Sequence, residues 1–255
     1  MEVHTHTHSE RKKWFHYFWE FFMLFLAVTL GFFVENLRES MIHKEQVKTN
    51  MRSLLADLRS DVQLFDSAID RNQYSVAMAD SLIDLLHNDL SNTPEIYFTA
   101  RSVTANNSYF YSNSKSFEQM KSSGLLRFIR PKELLDDIGN YYASFAWLAN
   151  QTDLIRVKLD AVHKGNSVLF DSYVFKQMMK VNDSSFTSIN RGHLVIKKPE
   201  GHPPLLSSDK MSINSVSLNY HYYSATFKFY DNTAIVLRQR AVQLIESIKT
   251  KYHLE

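Results

Sequence analysis

The 255-residue chain has no cysteine, which excludes disulfides, thiolate metal sites, iron–sulfur clusters and cysteine nucleophiles together. It has six Gly and five Pro where average usage would give roughly thirty between them, so tight turns and Gly-rich phosphate loops must be few. Scarcity of both helix breakers points to long helices. An excess of one charge is also missing. With 29 Lys and Arg against 27 Asp and Glu, the net charge of +2 marks no phosphate-tracking face and argues against a nucleic-acid partner. The sequence holds no Gly-x-Gly pair, no P-loop, no Gly-x-Ser-x-Gly elbow and no His-Glu-x-x-His motif. The paired acids Asp136 and Asp137 fall at the start of an expected helix, where the dipole favours negative charge. The chain is therefore expected not to be an enzyme.

A hydrophobic content of 44% rules out disorder, and much of it is concentrated near the start. Residues 14–34, WFHYFWEFFMLFLAVTLGFFV, contain one acid, Glu20, one imidazole, His16, and no Lys or Arg. About twenty apolar residues at 1.5 Å each span the roughly 30 Å hydrocarbon layer of a membrane. Trp14, Tyr17 and Trp19 cluster at one end, as rings do at headgroup level. Arg11, Lys12 and Lys13 precede the run, but no small-x-small cleavage site follows it, so an uncleaved signal anchor is expected. The basic cluster places the N-terminus in the cytoplasm and residues 35–255 outside it.

His16, Glu20, Leu24, Ala27, Gly31, Glu35 and Arg38 recur at intervals of three and four, hence on one helix face. Ala27 and Gly31 form a small-xxx-small pair that admits a second helix, and a carboxylate such as Glu20 below the headgroups faces a partner more often than lipid. This stripe points to a protein partner or another copy of the chain packing against the span. Two local pairs are open as well, His16 with Glu20 and Glu35 with Arg38.

From Gly31 to Pro94 there is no Gly and no Pro, and apolar residues step by four and three from Leu37 through Leu90, with Lys44, Lys48 and Asn72 as the exceptions. Period 3.5 is the pattern of a coiled coil or bundle. The helix is expected over 35–90, with a break possible at 70–74. Residues 95–113 are expected to be an ordered loop. Short and long helices follow at 115–122, from Pro131 to Gly165 and at 168–181. The stretch 182–206 is loop-rich, with HLVIKK as its one strand-like run. A last helix of about forty residues runs from Ser208. The fold class is all-α: a transmembrane helix continuing into an elongated helical bundle with long first and last helices. The domains are a tail at 1–13, an anchor at 14–34 and a helical domain at 35–255. Tyr141, Tyr142, Tyr220, Tyr222 and Tyr223 are expected as core and interface residues with hydroxyls reaching water.

In the tail, His4, His6 and His8 project from one face of an extended chain and form a possible ligand set for zinc or nickel. The alternative is a solvated tail.

The opening MEVHTHTH with EFFMLFLAVTLGFFVENLRE resembles the N-terminus of a family of uncharacterised bacterial single-span membrane proteins. The segment SFEQMKSSGLLRFIRPKELLDDIGNYY resembles the recurring middle motif of related membrane-anchored domains. Together they cover about a quarter of the chain. The resemblance implies a bacterial inner-membrane protein with a periplasmic domain and implies no activity. The expected function is a membrane-anchored interaction or scaffold subunit of an envelope complex. The alternative is a sensor-like or metal-handling accessory using the histidine tail or a pocket in the bundle.

Overall fold

A computed structural model describes residues 11–105, 108–180 and 195–254. The tail histidines His4, His6 and His8 lie outside the described residues.

The first helix, α1, runs unbroken over Arg11–Asn88. Its 78 residues extend about 117 Å at 1.5 Å each. No break occurs at 70–74, where Asn72, one of the three exceptions in the seam, has a buried partner described below. The chain turns at Asp89–Asn92 and starts α2, Thr93–Ala105. This corrects the loop expected over 95–113. Pro94 opens α2, where a missing N–H costs nothing, and Ile96, Tyr97, Ala100 and Val103 bury one face. The β-branched residues that obscured the periodicity are held helical by that burial, which overrides weak propensity.

Residues 108–114 are in neither helix nor strand and lead into α3, Lys115–Ser122, which ends as expected at Gly124, φ 72°, in the left-handed region. A single 3₁₀ turn, Leu125–Phe128, leads through Pro131 into α4, Lys132–Leu169. The helix expected over 168–181 shrinks to α5, Ser172–Gln177. Its break has a visible cause. The Tyr97 hydroxyl accepts the Asp171 N–H at 3.0 Å, and the Asp171 carboxylate caps α5 by accepting from the Tyr173 N–H at 2.8 Å. Phe170 is thereby turned onto Tyr97 and Phe175.

Two short strands, β1 Met179–Lys180 and β2 Val195–Ile196, pair antiparallel, so the strand-like run contributes one strand of a two-rung ladder. The last helix, α6, covers Lys210–Tyr252, opened by Asp209, whose carboxylate accepts the N–H groups of Met211 and Ser212 at 3.0 Å. The fold is all-α, with long first and last helices.

Direction follows from the cross-links. Asp66 meets Arg238, Asn72 meets Asp231, and Asp80 meets Ser224 and Lys228, so α1 and α6 are antiparallel. Tyr230 meets Thr152 and Tyr220 meets Asn166, so α4 and α6 are antiparallel too. Between α1 and α4 in sequence, α2, residues 108–114, α3 and the 3₁₀ turn descend beside α1 as one interrupted rod. The result is an up-down-up-down bundle whose second member is broken in the middle. Helices α4 and α6 approach closely at Gly165, where a Cβ would lie 2.8 Å from the Asn219 amide nitrogen. The core is rich in tyrosine: Tyr97, Tyr141, Tyr220, Tyr223 and Tyr230 are at most 1% exposed.

The buried core draws on α1 from Val47 onward, with half-buried His43 stacked on Phe128 one turn below it. Leu37 and Met41, the first residues of the seam, are exposed.

Candidate functional site

Three regions hold candidate chemistry: the apolar start of α1, the polar layer where the second rod is broken, and the grooves between helices.

Every residue from Trp14 to Val34 is exposed, and the best 18-residue window of α1 has mean hydropathy 1.9 with none of it buried. This helix is long and apolar enough to cross a membrane. His16, Glu20, Ala27, Gly31, Glu35 and Arg38 share one face of it, as the spacing requires. Only the last two are joined: Arg38 donates to both Glu35 oxygens, at 3.0 and 2.5 Å. Among the described residues no hydrogen bond links His16 to Glu20. A Cβ on Gly31 would meet nothing within 4 Å, so the small-residue face is open.

The polar layer arises from the broken rod. A helix interrupted between Ala105 and Lys115 leaves backbone N–H groups without intrahelical acceptors, and burial makes each one costly. Side chains of the neighbouring helices supply the acceptors. Asn72 Oδ1 accepts from the Ser108 N–H at 3.0 Å and the Tyr230 hydroxyl from the Phe110 N–H at 3.0 Å. Asp61 accepts from the Asn113 N–H at 2.8 Å, and Asp57 accepts from the Ser116 N–H at 3.0 Å and the Asn113 side-chain amide at 2.8 Å. Tyr141 on α4 donates to the other Asp61 oxygen at 2.8 Å, and Asn72 Nδ2 donates to Asp231 at 2.9 Å.

Burial pushes the Asp61 carboxyl up, against the downward pull of its bonds to Asn113 and Tyr141. Burial also pushes the Tyr141 and Tyr142 hydroxyls well up, with the Asp61 charge adding to both. Asp231 is pushed up to about 7 by burial, which its bond from Asn72 only partly offsets. The expectation that tyrosine hydroxyls reach water is corrected here. Those of Tyr141, Tyr220 and Tyr230 bond inside the protein, and of the five named tyrosines only Tyr222 is exposed.

This layer is saturated by its own chain. Asp57, Asp61 and Asn72 are committed to structural partners, and among the described residues of the layer no nucleophile is poised beside a free base. Among the described residues no group of three His, Asp or Glu side chains is placed to hold a metal ion. A groove of about 570 Å³ between α4 and α6 contains Ser144 and Arg240, but the Ser144 hydroxyl donates to the Asn140 carbonyl at 2.8 Å. Asp137 lines this groove, while Asp136 beside it is simply exposed. A second groove, about 480 Å³, lies between α1 and the 3₁₀ turn, where His43 stacks on Phe128 beside Lys44, Arg127 and Arg130.

Sequence reasoning missed the polar layer and the second groove. The one signal for the layer was Asn72 standing in an apolar seam. Nothing in the spacing placed Arg127 next to Lys44.

No family model, curated protein or solved structure matches the chain.

Proposed function

We propose that the protein is a membrane-anchored interaction or scaffold subunit of a bacterial envelope complex. Residues 14–34 hold it in the inner membrane, with the N-terminus cytoplasmic and the bundle periplasmic. The carrying observation is the complete exposure of the apolar first part of α1, from Trp14 to Val34. Exposed apolar area on that scale belongs in lipid or against a partner rather than in water. Arg11, Lys12 and Lys13 support the orientation, and the resemblance of the N-terminus supports the bacterial setting. An interaction role is supported by the open Ala27–Gly31 face beside Glu20, and by a polar interior spent on holding the chain together.

The test is fractionation and protease access. The protein is expected to stay in membranes through alkaline carbonate washing, and protease added to spheroplasts should digest the bundle. Release by carbonate would overturn the anchor, and protection of the bundle until lysis would overturn the orientation.

A further inference from the structure

We infer that the groove between the start of the bundle and the 3₁₀ turn is a binding site for the headgroup of an anionic phospholipid. The inference rests on the membrane anchoring proposed above.

The groove is lined on one side by Asn36, Ser40, His43 and Lys44 of α1 and on the other by Arg127 and Arg130. Asn36 and Lys44 lie two and ten residues beyond Val34, hence about 3 and 15 Å along the helix from the end of the apolar run. The headgroup layer is roughly 5–8 Å thick on each side of the hydrocarbon, so the lower part of the groove falls at phosphate level.

The cations are held there by the fold. Ile129 is fully buried, and the Phe128 ring stacks on His43 with centroids 4.0 Å apart. The Tyr252 hydroxyl at the end of α6 donates to the Arg130 carbonyl at 3.4 Å, tying the turn to a third helix. Arg130 Nη1 donates to the carbonyls of Arg127 and Ile129 at 2.9 and 2.8 Å, which fixes its guanidinium. The Arg127 guanidinium lies over the Phe128 ring, 4.7 Å from its centre. Among the described residues, Lys44, Arg127 and Arg130 form no ion pair with a carboxylate. The groove's single acid, Glu39, lies 3.5 Å from His43. Three cations against one carboxylate suit a phosphate, which guanidinium groups bind through paired N–H donors.

What selects a lipid over a soluble phosphate is the surface below. One turn toward the span on the same face as Asn36 come Phe32 and Phe33, 67% and 59% exposed. A lipid whose phosphate sits in the groove lays its acyl chains along these rings.

The test uses the full chain, purified from membranes in mild detergent and equilibrated with an equimolar mixture of phosphatidylglycerol and phosphatidylcholine. The headgroups it retains are then quantified. Phosphatidylglycerol should be enriched, and Arg127→Gln/Arg130→Gln should cut the enrichment by roughly fivefold per arginine, the effect of one cation at an anionic surface. A control, Lys164→Gln/Lys176→Gln, removes equal charge at the far end of the bundle and should retain the wild-type ratio. Millimolar inorganic phosphate should not displace the lipid. Retention at the bulk ratio, equal enrichment in both double variants, or displacement by phosphate would each overturn the inference. Carbonate extraction of the wild-type chain reads the anchor separately: absence of headgroup preference in wild type with full membrane retention refutes the site and leaves the anchor standing.

Discussion

Residues 14–34 and residues 47–88 belong to one uninterrupted helix, α1, yet they were shaped by different surroundings. In the first part apolar side chains cover the whole circumference and none is buried. In the second they form a stripe: Met51, Leu54, Leu58, Phe65, Ala79 and Leu82 are at most 3% exposed, while the charged residues other than Asp57 and Asp61 lie toward the surface. Helix formation is common to both, because neither contains a breaker able to interrupt it. What differs is where the apolar surface goes. The stripe is satisfied within the chain by α2, α3 and α6. Among the described residues the all-round apolar part has no packing partner, and it is long and apolar enough to cross a membrane. A single helix thus joins the two parts, and residues 36–44, at the junction, belong wholly to neither.

The sharpest way to break this comparison is to delete the same atoms from both parts. Leu58→Ala should cost the bundle about 3 kcal/mol in denaturant unfolding, as burial with a residual cavity implies. Leu26→Ala should leave that unfolding curve unchanged. Equal losses would mean that the first part packs against the bundle.

The polar layer gives the next largest effect. Asp61→Ala strands the Asn113 N–H and the Tyr141 hydroxyl and should cost about 2 kcal/mol. Adding Tyr141→Phe to that variant should cost less than Tyr141→Phe alone, because the hydroxyl is already without its acceptor. Strict additivity would deny the contact.

Asp231 sharpens the contrast through pH. Its folded pKa of about 7 lies above the ordinary 3.8, so between those values the folded state keeps a proton that the unfolded chain has released. Stability from this group is therefore fully present below about pH 4, falls as pH rises toward 7 and is flat beyond it. Wild type should lose at most about 1.4 kcal/mol per pH unit relative to Asp231→Asn across that window. Asp61, also pushed up, contributes to both proteins and cancels. Parallel curves from thermal melts at several pH values would refute the assignment.

The smallest effect concerns the span. Gly31→Leu and Glu20→Leu should each weaken crosslinking to a partner helix in native membranes by about 1 kcal/mol, while Phe25→Leu on another face should do little. If all three crosslink like wild type, the stripe is incidental.

Much of the architecture was legible without coordinates because it is written in local patterns. Twenty apolar residues, breaker-free stretches and a 3.5-residue period each act within one element, so sequence alone determined the candidate span, the long first and last helices, the short α3 and its left-handed stop at Gly124. It failed at 95–105 and 168–181, where the deciding contacts are distant. Burial against α1 keeps α2 helical, and the Tyr97 hydroxyl, more than seventy residues away in sequence, holds the chain at Asp171 where α4 has ended. The same reason hid the interior. Asp57, Asp61 and Asp231 look like solvated helix charges until the broken second rod brings unpaired N–H groups and the Asn72 amide against them. Arg127 and Arg130 look like loop charges until α1 and α6 fix the 3₁₀ turn beside His43. Period and composition act along the chain, whereas a hydrogen bond or a groove requires residues from several elements to meet, and only the tertiary structure decides which ones do.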